Sequence, residues 1–377
     1  MFPVREVCSL KFISQLPRRL WLLLGIPVGL ALYLLALFVP DFAEWYARYP
    51  YHWLSLAVNR VTGLLPFSLA EILLVLLIAV VLFWLIFGIV RFIRKRENRK
   101  KRLVRFLLTP LCALSVVWFL FVVTCGINYS RYTFSQVSGL PIRDSSVEEL
   151  YELNVSLAQE VSRLRQELPE NQWGVMESSF SSSSEKAEQA RISYDTLEKE
   201  YPTLFSGYAA PKSVVASRLM SWCNITGIFV PFTFEANVNV DVPDYSQPAT
   251  MCHELSHLRG YMREDEANFI AYLACRNSEN VEFQYSGAML AFVYANNALY
   301  SADSELGQQV YSSLYEGVQR DFAYNSAYWK QFEGPVSDIA SSVNDTYLKA
   351  NQQQDGVKSY GRVVDLLLAD YRKNHDK

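Results

Sequence analysis

Three uncharged apolar runs occupy the first third of the chain, at residues 20–39, 72–90 and 106–127. Each is close to the roughly 20 residues that a helix needs to cross about 30 Å of hydrocarbon. They predict three transmembrane helices in a membrane domain over residues 1–127. The first run is longer than the roughly 7–15 apolar residues of a signal peptide, and no small-x-small site follows it. Beyond residue 128 the period changes. Leu150, Leu153, Leu157, Val161 and Leu164 recur at helical spacing behind Ser145 and Ser146, which predicts a helix over 145–168. The serine-rich stretch 178–184 reads as a loop, and a second helix is expected over about 185–200. Residues 213–242 are rich in Val, Ile, Phe and Thr, punctuated by Gly227 and Pro231, and read as two or three short strands. After Pro248 the pattern is helical nearly to the end, with breaks expected near Gly260, 277–280, 302–304, 334–335 and 352–356. The expected fold class is α+β: three transmembrane helices, then a mostly helical domain with a small β-sheet over residues 128–377.

Composition supports a two-part protein. The 377 residues are 51% hydrophobic and 19% charged, with mean hydropathy +0.06. That is too apolar for an ordinary soluble protein and too polar for membrane helices alone. Basic residues give a direction. Arg5, Lys11, Arg18 and Arg19 precede the first run, and nine Lys and Arg residues lie between Arg91 and Arg105. The first loop, residues 40–71, holds only Arg48 and Arg60 against Asp41, Glu44 and Glu71. The positive-inside rule puts the N-terminus and the basic loop in the cytoplasm and residues 128–377 outside it. The basic loop then reads as a topology anchor that meets anionic lipid. Of the 38 acidic side chains 33 fall in residues 131–377, against 20 of the 35 basic ones, so this part is acidic and no nucleic-acid partner is expected. The six cysteines have no framework spacing, and no disulfide scaffold is expected.

The candidate chemistry sits in His253-Glu254-Leu255-Ser256-His257, an HExxH motif holding two of the four histidines. Two imidazoles four apart lie one turn apart on one helix face, so both can bind one Zn²⁺. The glutamate between them can take a proton from a water that the metal activates. The helix is expected to start near Pro248 and end at Gly260, a left-handed C-cap. Cys252 points about 100° away from His253 and reads as a small buried residue. An acidic cluster, Glu264-Asp265-Glu266-Ala267-Asn268, opens the next helix. Acids there suit the helix dipole, and one of them can also complete the metal site. Glu264 and Asn268 share a face, which lets Glu264 reach a metal while the Asn268 amide orients a histidine or the glutamate itself.

These residues resemble the gluzincin branch of the zincin metallopeptidases, which pair HExxH with a later E-x-x-x-D or E-x-x-A-D helix. The cluster fits E-x-x-A-D except for Asn268 in place of Asp, which weakens the charge behind the ligands. The longer stretch, from Gly227-Ile228-Phe229-Val230-Pro231-Phe232 through Glu235-Ala236-Asn237 to Asn268-Phe269, resembles DUF3810, a family of bacterial membrane proteins with a zincin-like domain. That resemblance implies a multi-pass protein of the bacterial cell membrane with a metallopeptidase-like fold, and it supplies no substrate. The gap between His257 and Glu264 is shorter than in most gluzincins. Gly260 matches the glycine of the metzincin HExxHxxG motif, but their third-ligand position falls on Arg263, which cannot bind zinc. The third ligand is thus Glu264 or Glu266.

Weaker candidates surround this motif. Residues 227–240 precede the HExxH helix, where zincins place an edge strand that pairs with extended substrate. Tyr285 is either an oxyanion donor or a packed aromatic. Tyr360-Gly361-Arg362 could bring a phenol or cation to the cleft, and His52 and His375 are expected to be solvated or interfacial. The expected activity is zinc-dependent hydrolysis of a peptide or protein at the outer membrane surface, with Glu254 as general base. A zincin-fold sensor without proteolysis, or a zinc amidase acting on cell-envelope substrates, are the rival expectations.

Overall fold

The computed structural model describes residues 18–94, 99–351 and 360–375. Arg5, Cys8, Lys11, Lys95, Arg96 and the expected break over 352–356 lie outside the described residues. A short 3-10 segment, Arg18–Leu24, leads into α1 (Gly25–Phe38). Then come α2 (Pro40–Tyr46), α3 (His52–Thr62), α4 (Leu69–Arg94), α5 (Arg99–Thr124) and α6 (Phe134–Ser138). Three stretches, Arg19–Phe38, Leu69–Arg94 and Leu103–Thr124, are long and apolar enough to cross a membrane, as the three runs predict. α4 buries none of its residues. So large an exposed apolar surface suits hydrocarbon and not water.

The stretch between the first two apolar helices differs from its expected reading as a loop. Tyr51 and Leu56 belong to the main hydrophobic core. The Asn59 amide donates to the Phe234 carbonyl at 2.7 Å, and its oxygen accepts from Ala209 N–H at 2.7 Å. His52 is buried, a correction to its expected solvation: its Nδ1 lies 3.1 Å from the Tyr208 hydroxyl and its ring 3.9 Å from that of Phe205. Burial lowers its pKa. A boundary at residue 127 therefore cuts through a packed unit, because α3 shares its core with elements far downstream. The first turn of α4 is also tied to that unit. Glu235 accepts from the N–H groups of Leu69 and Ala70 at 3.1 and 2.8 Å, donors that a helix start leaves unpaired. In return, the Glu71 carboxylate accepts from Val215 and Ala216 N–H at 3.0 and 2.8 Å.

Downstream, α7 (Val147–Arg165) begins at Ser146, whose hydroxyl and the Glu149 carboxylate form a capping box. After α8 (Ser183–Leu197) come β1 (Lys212–Ser213), α9 (Ser217–Trp222), β2 (Gly227–Val230) and β3 (Glu235–Val238). The strand order is β1-β3-β2, with β3 parallel to β1 and antiparallel to β2. Three strands were within the expected range, but α9 was not foreseen, since six residues are too few to show a period. The remaining helices are α10 (Gln247–Leu258), α11 (Glu264–Arg276), α12 (Val281–Ala302), α13 (Ser304–Ser312), α14 (Glu316–Lys330), α15 (Pro335–Ala350) and α16 (Tyr360–His375). One break went unread: residues 313–315, between α13 and α14, contain neither Gly nor Pro. α10, α11 and α12 form the centre of the core, with the sheet laid on α10.

Candidate metal centre

α10 buries Met251, Cys252, Leu255 and Leu258 and turns His253 and His257 to its remaining face. Pro248 lies in its first turn. It stops because Gly260 adopts φ +84°, a left-handed conformation that glycine takes without strain, and its N–H returns to the His257 carbonyl at 2.9 Å. The chain reverses there and brings the first turn of α11 back to the histidines.

The two Nε2 atoms lie 3.0 Å apart. Glu264 Oε2 is 3.2 Å from His253 Nε2, and Oε1 is 3.6 Å from His257 Nε2. One ligand atom from each residue falls within 4.8 Å of the others. The opposite ring nitrogens set the tautomers. His257 Nδ1 is 2.8 Å from the Tyr261 carbonyl, which can only accept, so Nδ1 carries a proton. His253 Nδ1 lies 2.9 Å from Asn268 Oδ1, the contact expected of that asparagine. Each neutral ring thus turns an Nε2 lone pair toward the same point. Two such lone pairs at 3.0 Å repel unless a proton or cation lies between them. Two imidazoles and one carboxylate are a donor set that fits zinc.

Protons fill that role in the metal-free site. Burial alone would lower the His253 pKa, but the Glu264 hydrogen bond and charge outweigh it and hold it at about 9. Burial outweighs the opposing charge of Glu264 and, with the charge on His253 as a smaller effect, pushes His257 down to about 4. Burial would raise Glu264, but the histidines beside it hold it at about 2. At pH 7 the site therefore holds a proton on His253, and a metal must displace it. Metal binding at pH 7 should release protons, and affinity should rise with pH, because the cation competes with the proton on His253. Calorimetry in two buffers of different ionisation heat reads the proton count; a value of zero would contradict this protonation state.

Glu254 faces the sheet. Burial raises its pKa to about 8, with Phe229 N–H donating to the carboxylate as a smaller, opposing effect. Its Oε2 is buried with no hydrogen-bond partner among the described residues. The strand above explains how it fits. The Thr226 carbonyl accepts from Asn239 N–H at 2.9 Å. In an antiparallel ladder alternate residues pair, so Ile228 and Val230 also turn their backbone groups to β3, whereas Gly227 and Phe229 turn theirs to the open edge. A Cβ at Gly227 would lie 2.5 Å from Glu254 Oε1 and 2.8 Å from its Cγ. Gly227→Ala should push the Glu254 carboxylate aside. Metal content should be unchanged, and a crystal structure of the variant with Glu254 in its present position would contradict the expected shift.

Other candidates are placed elsewhere. Glu266 points away from the histidines and accepts from Phe134 N–H at 2.9 Å and Arg263 at 3.0 Å. Cys252 is buried, and the five described cysteines are free. Arg362 lies within charge range of Asp265. The Tyr360 side chain is not among those described. His375 is exposed and stacked on Tyr371. The oxyanion-donor reading of Tyr285 is corrected: it is fully buried, and its hydroxyl donates to Asp321 Oδ2 at 2.6 Å. Asp321 is the buried partner of Arg165, at 2.7 Å. Tyr285→Phe should leave metal binding intact and cost about 1–3 kcal/mol of stability by removing a donor to a buried carboxylate, measurable by denaturant unfolding.

Sequence reasoning missed a supporting layer. The Tyr51 hydroxyl donates to the His257 and Leu258 carbonyls at 3.3 and 3.2 Å. Arg131, paired with Glu44 at 3.1 Å, stacks its guanidinium 4.1 Å from the Tyr261 ring. The Tyr194 hydroxyl lies 2.6 Å from the Cys252 carbonyl and 2.7 Å from Ser256 Oγ. Only Tyr261 carried a readable hint, as the residue after a helix-ending glycine. Neither a curated protein nor a solved structure matches the chain. A family model described as "Protein of unknown function (DUF3810)" matches residues 46–368. The match begins inside the stretch before α3 that packs into the core and covers most of the chain, so this protein belongs to the DUF3810 family.

Proposed function

We propose that the protein is a membrane-anchored zinc metallopeptidase of zincin type, with its metal-binding domain on the extracytoplasmic face. The observation that carries this reading is the convergence of His253 Nε2, His257 Nε2 and Glu264 within 4.8 Å, beside a buried Glu254 oxygen that has no hydrogen-bond partner among the described residues. His253, His257 and Glu264 would hold the ion, which supplies Lewis acidity when bound. Glu254 is the general base. Its unpartnered Oε2 takes the proton of the attacking water and then gives it to the leaving amine. With a pKa of about 8 the carboxyl holds its proton at pH 7, and the charge of a bound cation would lower it so that Glu254 can accept one. Peptide is held by strand addition: Gly227 N–H and the Gly227 and Phe229 carbonyls face the open edge of β2, next to Glu254, which takes the Phe229 N–H.

The basic loop after α4 and the acidic balance of residues 131–377 favour an outward-facing domain and a peptide or protein substrate at the membrane surface. A sensor without chemistry would have no need of a proton-accepting carboxylate beside the histidines, so the retained Glu254 favours the enzyme. The test is digestion of a peptide library by zinc-loaded full-length protein in lipid nanodiscs, read by mass spectrometry with and without chelator. Cleavage that chelator abolishes and zinc restores is expected. Zinc-loaded protein that cuts no peptide would overturn the peptidase reading.

A further inference from the structure

Helix α15 carries an apolar stripe that stays exposed among the described residues. Val336, Ile339, Val343 and Tyr347 recur at helical spacing on one face, and Ile339 and Val343 are 65% and 64% exposed. In a soluble protein such a stripe would be buried. One end of α15 lies beside the end of α5, and the residues before its start are linked through α9 to the start of α4. Near its start, Gln331 accepts from Arg218 at 2.9 Å and Phe332 lies under the Arg218 guanidinium at 4.5 Å. Arg218 is on α9, and the residues just before α9 are held by Glu71 in the first turn of α4. At the other end, the Tyr347 ring lies 6.3 Å from Phe121, in the last turn of α5. The Tyr129 hydroxyl donates to that of Tyr347 at 3.1 Å. α15 therefore bridges the start of α4 and the end of α5, which a hairpin places on the same side of any bilayer they cross. α9 and the residues before it add to the same level: Val215, ahead of α9, and Leu219, within it, are 89% and 66% exposed.

We infer that α15 and α9 lie in the lipid–water interface, with their apolar faces in the acyl boundary on the side that carries the folded domain. This rests on the reading of α1, α4 and α5 as membrane spans. The occupant is lipid because the stripe is continuous with the lipid-facing surface of those helices and spans the gap between two of them. The Tyr347 hydroxyl also lies 3.9 Å from Cys125 Sγ, which is 3.7 Å from Met262 Sδ in the turn between α10 and α11.

Spin labels test this on the full chain in lipid nanodiscs, with Cys8 and Cys223 replaced by serine; the other four cysteines are buried. Labels at Ile339→Cys, Val343→Cys and Leu219→Cys should collide with oxygen more than with a water-soluble nickel chelate. Leu82→Cys, in the middle of α4, should behave likewise, and Ser341→Cys, away from the stripe, should favour the chelate. Chelate access at 339, 343 and 219 with oxygen access at 82 would overturn the belt and leave the spans intact. Chelate access at 82 would overturn the spans as well. Dipolar broadening at 339 that vanishes on dilution with unlabelled protein would assign the stripe to a second copy, and the inference would fail.

Discussion

Glu254→Gln is expected to cut peptide hydrolysis by about 10²–10⁴-fold and leave bound zinc unchanged. In free energy that is about 3–5 kcal/mol of barrier. The substitution keeps the volume and an oxygen that can still accept from Phe229 N–H, so folding should be unaffected. What it removes is the ability of the buried, unpartnered Oε2 to take a proton. Because Glu254 is not among the three clustered ligands, zinc content should match wild type by mass spectrometry of metals. Equal rates in the two proteins at equal zinc content would remove the enzyme reading and return the sensor reading.

Glu264→Ala is expected to lose zinc, and the loss should grade with distance from the cluster. Glu264 is the carboxylate that lies 3.2 and 3.6 Å from the two Nε2 atoms. Asn268 reaches only the far nitrogen of His253, so Asn268→Ala should weaken binding by about 10–100-fold, the usual cost of losing an orienting partner. Removing Glu264 should cost more than that. Glu266→Gln should change nothing, because Glu266 is engaged by Phe134 N–H and Arg263. Competition against a chelating indicator gives all three affinities. A Glu266 variant that loses zinc while the Glu264 variant keeps it would transfer the third-ligand role.

The parts that were legible in the sequence were those with local causes. Apolar runs of membrane length, leucines at helical spacing behind Ser146, and the Gly260 stop each act over a few residues, and the structure follows them. The choice between Glu264 and Glu266 was open for a physical reason. Both lie in one helical turn, and which one faces α10 depends on the angle at which the chain leaves Gly260, a tertiary quantity. The stretch 40–71 was misread because its charges were counted for topology, while its role is in packing: Tyr51 and Asn59 act on residues about 150 to 200 positions away. Tyr285 carried no local sign of its partner, since Asp321 lies 36 residues downstream on another helix. The α15 stripe was equally silent, because a helical period does not say whether its apolar face meets protein or lipid.

Zinc K-edge X-ray absorption on the full-length, zinc-loaded protein tests the central claim most directly. The account predicts one zinc per chain with only nitrogen and oxygen neighbours at about 2.0–2.2 Å, two of them showing imidazole scattering. It also predicts loss of that signal in Glu264→Ala. A sulfur neighbour at about 2.3 Å, which would bring Cys252 or Cys275 into the shell, or a protein that retains no stoichiometric zinc, would contradict it.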